Sequence, residues 1–582
     1  MPPDSPIERC RSQQLPRKAL SLLALPHEVL CLICAQLCPH CRGVDPEEQF
    51  SATWAEIQAP HAVSQTCTTL RNIAQPLLYH LPNILNLNSF LRTIRARRDL
   101  SECVKWFPYN NIYTELVVQC FKDDGFALIK DMAAELQMLT PQDKPFEEQF
   151  ADMFVYLANG SDYDQSPHGC LFQLEQFKTL LHAILVASFS RVEVLRIPSW
   201  QDSEKFEPVL NKFARRRLQR VGRMVSDRCA RSSMSSLHTV IIDDWRESCW
   251  HWEHEDGHSY VEENNIHLDP RELLFGCATS LKQIIFYRCD APYLWPADSG
   301  GANPRTIWSD LPDLRAVEFS KMAWGASECY ADAPERPVTQ EQQDVAYARI
   351  EQMVTECSKL TSFKMSTICI DYPRFYNTFS LHRLLQSLLV AASRLETFEI
   401  NTEHIRYRAG STATLAADFS CFPKLQRLSF DEECICQHWT YGIYNDQYDP
   451  LNPCDEGEEY PPVCRNNHCL VDMLPPVASL NIQLAPNPRI IPDILQLEKA
   501  VREGRFPNLK HLTLETCLRI PKAKLRQSLE SYERNEIHHS HRQDFYRNIE
   551  AQPKMQALVP TIEEAFRGSS VFVEVLVIPR FS

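Results

Sequence analysis

Cysteines at positions 31, 34, 38 and 41, with His40 just before the last, form a C-x2-C-x3-C-x2-C series of residue types that hold zinc. Steps of 3, 4 and 3 put all four on one stripe of a continuous helix. Cys31 and Cys41 then lie about 15 Å apart at ~1.5 Å rise per residue. Four ligands reach one ion only if a loop or knuckle brings two pairs together, and Pro39 offers a way to fold the end back. Small buried thiols on a helix face account for the same residues. A second set, Cys434, Cys436, His438, Cys454, Cys464, His468 and Cys469, lies in an acidic, proline-rich insertion. A metal or a disulfide could staple that segment, but the spacing fits no common finger, and an unstapled loop is the simpler reading.

Other candidates carry less chemistry. His251, His254 and His258 lie among carboxylates but lack the H-E-x-x-H helix spacing, so they read as a solvated loop, as do His538, His539 and His541. Arg215, Arg216, Arg217, Arg220 and Arg223 suit a nuclear-localisation or anion-binding patch. With Phe213, Leu218 and Val221 interleaved, they equally suit the outer face of a helix. There is no Gly-x-Ser-x-Gly elbow and no Walker phrase. With 15 glycines against 39 prolines, Gly-rich phosphate loops are disfavoured and short elements between proline turns are favoured. The chain reads as a non-enzyme with no cofactor.

The elements around the first cysteines are better defined than the cysteines. Residues 1–20 are rich in Pro, Arg and Gln and read as a flexible segment. Pro26 suits the first turn of a helix, and Glu28 complements the positive end of its dipole. Leu25, Val29, Leu30, Ile33 and Leu37 recur at helical spacing until Pro39 closes the run. Val63, Cys67, Leu70 and Ile73 mark a second helical stripe, and Pro76 starts Pro76-Leu77-Leu78-Tyr79-His80.

The phrase L-P-H-E-V-L-x-x-I-x-x-x-L, followed by V-S-Q-T-C-T-T-L-R-x-I-A-Q-P-L-L-Y-H, resembles an F-box, in particular that of fungal F-box proteins. The resemblance implies a three-helix unit over residues 21–80 that docks on the Skp adaptor of a cullin-type ubiquitin ligase. It implies an adaptor contact at or in front of Leu25, Pro26, Glu28, Val29, Ile33, Leu37, Val63, Cys67 and Leu70. The join 39–60 is longer than usual for the family, which puts the middle-helix contacts in doubt. An ordinary helical hairpin capping an α/β array is the rival reading.

Beyond a linker helix region at 81–110, one phrase recurs: apolar, two residues, apolar, one residue, apolar. It occurs at Val192/Leu195/Ile197, Leu237/Val240/Ile242, Leu281/Ile284/Phe286, Leu314/Val317/Phe319 and Leu360/Phe363/Met365. It returns at Leu395/Phe398/Ile400, Leu425/Leu428/Phe430, Val477/Leu480/Ile482, Leu509/Leu512/Leu514 and Val573/Leu576/Ile578, with a weak copy at Tyr113/Leu116/Val118. Cys289 and Cys517 follow two copies by three residues, as in the L-x-x-L-x-L-x-x-N/C phrase of leucine-rich repeats, where the last residue turns the chain. Helical stretches at Gln340–Cys357 and Leu381–Ser393 lie between phrases. The expected fold is α/β: a small F-box, then an irregular leucine-rich-repeat-like solenoid over 111–582 with an insertion at 431–472. A doubly wound sheet is the alternative, disfavoured by the absence of a Gly-x-Gly turn after the first strand.

A formal charge of −15 argues against a nucleic-acid partner, and no apolar run is long enough for a membrane span. The start lacks an apolar signal region, so the 23 cysteines are expected as reduced thiols in a cytoplasmic or nuclear protein. The expected role is a substrate receptor that binds Skp and, through it, a cullin complex, and presents an unknown protein target. The alternatives are a scaffold with a vestigial box and, more remotely, a metal-binding protein using the Cys434–Cys469 insertion.

Overall fold

The computed structural model describes residues 22–43, 54–82, 84, 86–107, 117, 125–135, 177, 181, 184–186, 188–189, 191–198, 200–202, 236–243, 266–268, 280–287, 308, 311–322, 340–367, 380–401, 418–432, 470–484, 490–519 and 559–580. The chain divides into two compact units, one of residues 1–133 and 146–192 and one of residues 134–145 and 193–582.

In the first unit a 3-10 turn, Leu22–Ala24, leads into α1 (His27–Ala35). Pro26 stands just before the helix rather than in its first turn, and its carbonyl accepts the N–H groups of Val29 and Leu30. The helix ends four residues before Pro39, earlier than the apolar spacing implies. Leu37 and Cys38 donate to carbonyls three residues back, which tightens the chain, and Pro39 disfavours helical backbone at Cys38. Gly43, at φ +66°, completes the turn in a conformation that side chains with a Cβ rarely adopt.

Next come α2 (Trp54–Ser64) and α3 (Thr68–Leu78). The stripe Val63–Ile73 is therefore divided between two helices, because Cys67 is extended and sits at the start of α3. Residues 54–60, expected in the join, belong to α2, and Pro76 lies inside α3 rather than starting a new segment. The region expected as a linker, 81–110, forms α4 (Leu87–Ala96), α5 (Arg98–Ser101) and the two-residue strand β1 (Trp106–Phe107), followed by α6 (Gly125–Glu135). The Asn86 side chain accepts the Ser89 N–H at 2.8 Å and caps α4.

The second unit holds a parallel sheet whose strands follow one another in chain order. Its strands are β2 (Val194–Pro198), β4 (Thr239–Asp243), β6 (Gln283–Tyr287), β7 (Ala316–Met322), β8 (Ser362–Thr367), β9 (Thr397–Asn401), β10 (Arg427–Asp431), β11 (Ser479–Leu484), β12 (His511–Arg519) and β13 (Phe572–Arg580). A separate antiparallel pair joins β3 (Trp200–Asp202) to β5 (Ile266–Leu268). Helices α7 (Gln340–Glu356), α8 (Leu381–Leu388), α9 (Leu470–Met473) and α10 (Ile491–Arg502) fall between later strands. The sheet order never reverses, whereas a doubly wound sheet reverses at a switch point.

All ten strong phrases fall on these strands, and the register explains why they recur. Leu195, Val240, Ile284, Val317, Phe363, Phe398, Leu428, Leu480 and Leu512 are successive partners across the sheet, and all are buried. The last phrase is out of step. Leu512 pairs with Val573, so Val573 holds the second apolar position and not the first. Cys517 lies within β12 rather than turning the chain after it, while Cys289 and the weak copy at 113–118, apart from the buried Val117, fall outside the described residues.

Each strand entry repeats one hydrogen-bond pattern. The Glu193 carbonyl accepts from His238 and Thr239, His238 from Lys282 and Gln283, and so on to Ala478, which accepts from Lys510 and His511, at 2.8–3.2 Å. Behind the sheet, Phe286, Phe319, Phe363, Phe398, Phe419 and Phe430 form a continuous aromatic row with centroids 5.0–6.1 Å apart. Ala346, Ile350, Met353 and Val354 of α7 and Leu384, Leu385 and Leu388 of α8 are buried as their spacing implies, whereas Leu389 is exposed. The Tyr347 hydroxyl accepts the Ser380 N–H at 2.7 Å, and the Arg383 guanidinium lies over the Tyr347 ring, so α7 holds the start of α8. The expected insertion 431–472 begins at the last residue of β10 and ends within α9. Among the described residues no helix is long and apolar enough to cross a membrane.

Candidate functional site

Helix α1 is apolar on two sides. Leu30 and Cys34 are buried against Leu70 and Ile73 of α3, with Leu25, Cys31, Val63, Cys67 and Leu77 around them. Burial pushes the Cys34 thiol above its ordinary range, and neighbouring Cys31 adds to the shift. Val29, Leu32 and Ile33, at i, i+3 and i+4, form a separate, uncovered face, and Leu22 and Leu23 of the preceding turn are exposed as well. These five are 37–66% exposed. They make up half of the strongly exposed large apolar side chains among the described residues, concentrated within twelve positions.

The residues expected at an adaptor contact thus separate into two layers. Pro26, Glu28, Val29 and Ile33 are exposed, while Leu25, Leu37, Val63 and Cys67 are half-buried and Leu70 is buried. Leu32, the most exposed of the apolar residues on α1, lies outside the stripe of positions 25, 29, 33 and 37. Its position three residues after Val29 was the available signal.

The thiols of the opening series part company. Cys31 and Cys34 stay on α1, and Cys31 Sγ lies 3.5 Å from His27 Nε2. Past the end of the helix, Cys38 and Cys41 turn toward His80, just beyond α3. His80 Nδ1 is 3.7 Å from Cys38 Sγ and 3.3 Å from Cys41 Sγ, and His40 Nδ1 is 3.8 Å from Cys41 Sγ. One ligand atom from each of Cys38, His40, Cys41 and His80 lies within 4.8 Å of every other. His80 could not be paired with the series by local spacing, since it is 39 residues from Cys41. The candidates Cys434, Cys436, His438, Cys454, Cys464 and Cys469 lie outside the described residues, as do residues 244–265, 203–235 and 520–558 with their histidine and arginine clusters.

In the second unit the sheet face opposite the aromatic row carries a different ladder. Arg196, Ile241, Ile285, Glu318, Lys364, Glu399, Ser429, Asn481, Thr513 and Glu574 are successive partners. Ile241 and Ile285 are buried, but from β7 onward the row is polar and partly exposed, and Lys364 pairs with Glu399 at 3.2 Å. No catalytic constellation is assembled among the described residues of either face. Compared with known proteins, the chain matches no family model, and no curated protein matches it.

Proposed function

We propose that the chain is a substrate-recognition subunit of a Skp–cullin–F-box ubiquitin ligase, with residues 21–80 as the box. The carrying observation is the exposed apolar face of α1, Val29, Leu32 and Ile33, on a helix whose other side is packed into a small helical unit. Covering such a face withdraws apolar surface from water at roughly 25 cal/mol per Å², the ordinary driving force of docking. The F-box resemblance supplies the Skp adaptor as the occupant.

The in-order sheet and the repeated strand-entry hydrogen bonds support reading the second unit as a leucine-rich-repeat-like array. Its polar ladder from Glu318 to Glu574 is the surface offered to a target protein. The receptor does no covalent chemistry in this reading. It raises the effective concentration of a target lysine near the charged conjugating enzyme.

Affinity isolation of the full chain from cells should recover the Skp adaptor and a cullin. The Leu25→Ala/Pro26→Ala variant should lose both while retaining the target. Recovery of a stable target with no adaptor would instead favour a scaffold with a vestigial box.

A further inference from the structure

We propose that Cys38, His40, Cys41 and His80 form a structural zinc site that joins the turn after α1 to the end of α3. In a tetrahedral site with Zn–S near 2.3 Å and Zn–N near 2.0 Å, neighbouring ligand atoms lie roughly 3.3–3.8 Å apart. The three nitrogen–sulfur separations above are 3.3, 3.7 and 3.8 Å, and no pair among the four exceeds 4.8 Å. Three of the separations thus match a zinc coordination sphere, and the remaining pairs need close by no more than roughly 1 Å.

The local chain is built to make this happen. Cys38-Pro39-His40-Cys41 is a C-x2-C knuckle freed by the early end of α1. Its shape is held by the Arg42 N–H to Cys38 carbonyl bond, the Gly43 N–H to His40 carbonyl bond and the positive φ of Gly43. His80 is anchored from behind, because its carbonyl accepts the N–H groups of Lys105 and Trp106 at 3.1 and 2.8 Å. The His40 ring meets the edges of His80 and Trp106 at 4.9 and 5.7 Å, which fixes its plane and shields one side. Such outer contacts are what orient metal-binding imidazoles. Cys38 is buried and Cys41 is exposed, which leaves an open approach for the ion.

Two thiols and two imidazoles select a borderline-soft tetrahedral ion, hence zinc, and four protein ligands leave no open position for substrate. Binding releases the two thiol protons to solvent and gives a neutral centre, two thiolates balancing the dication. The closed loop spans the 39 residues from Cys41 to His80 and includes the whole of α2 and α3. The site stands independently of which partner α1 binds.

The test is elemental analysis of the full chain purified without chelators, combined with alkylation read peptide by peptide. About one zinc should be attached to these residues, and Cys38 and Cys41 should alkylate at least tenfold faster after chelation, while Cys421 is unchanged. His80→Gln should abolish the protection of Cys41. The wild-type comparison decides even where that variant folds poorly. A chain without zinc, iron in its place, a Cys38–Cys41 disulfide, or equal alkylation of both cysteines with and without chelator overturns the proposal.

Discussion

In β11, Leu480, Ile482 and Leu484 are buried while Asn481 and Gln483, which alternate with them, are partly exposed. In α1, Leu30 and Cys34 are buried while Val29, Leu32 and Ile33, interleaved with them, stand in solvent. Both segments are rich in aliphatic residues, yet one uses every large apolar side chain for its own core and the other leaves several uncovered. The difference separates residues that hold a fold from residues available to a partner, which apolar content alone does not.

The comparison is broken most directly by large-to-small substitution. Phe398→Ala removes a side chain that is 1% exposed from the aromatic row and should cost about 3–5 kcal/mol in denaturant unfolding. Leu30→Ala should cost about 2–5 kcal/mol, confined to the first unit and read there by hydrogen exchange. Leu32→Ala, two residues along the same helix, should stay within about 0.5 kcal/mol of the wild type. If Leu32→Ala destabilises as much as Leu30→Ala, α1 has one buried face and no docking surface.

A smaller effect comes from pH. Burial pushes the Cys357 thiol up to about 12, with Glu356 adding to it, from an ordinary value of 9.0. The folded state therefore keeps the proton that the unfolded chain loses, so stability is complete below about pH 9 and falls toward pH 12. The slope is at most about 1.4 kcal/mol per pH unit. Unfolding at pH 8 and pH 10 should show a shallower decline for Cys357→Ala than for the wild type. Equal slopes would mean that the thiol is not buried as described.

Smallest is the exposed Lys359–Asp313 pair, 2.5 Å long, which joins the approaches to β7 and β8. Asp313→Asn should leave the unfolding midpoint unchanged within error, at low and at high salt alike, because solvent and salt screen an exposed pair.

How much of this was readable in the sequence depends on the period of each segment. From β7 to β12 the phrase Leu-x-x-Leu-x-Leu located the strands because its two parities differ: core residues on one, mostly polar residues on the other. It failed in β13, where Val571-Phe572-Val573-Glu574-Val575-Leu576-Val577-Ile578 is apolar on both parities and any register fits. In α1 the spacing found the helix but not which apolar face was buried, because that is decided by Leu70 and Ile73, forty residues away. The thiol series suffered in the same way. Its local spacing argued against convergence on one helix, whereas the early helix end and the distant His80 bring a different foursome together.

The most direct measurement is calorimetric titration of the full chain with purified Skp adaptor, for the wild type and for Leu32→Asp/Ile33→Asp. Both residues are exposed, so circular dichroism and the unfolding midpoint should be unchanged. Docking on α1 gives saturable binding for the wild type and at least a hundredfold loss for the variant. No binding by the wild type, or equal binding by a folded variant, contradicts it.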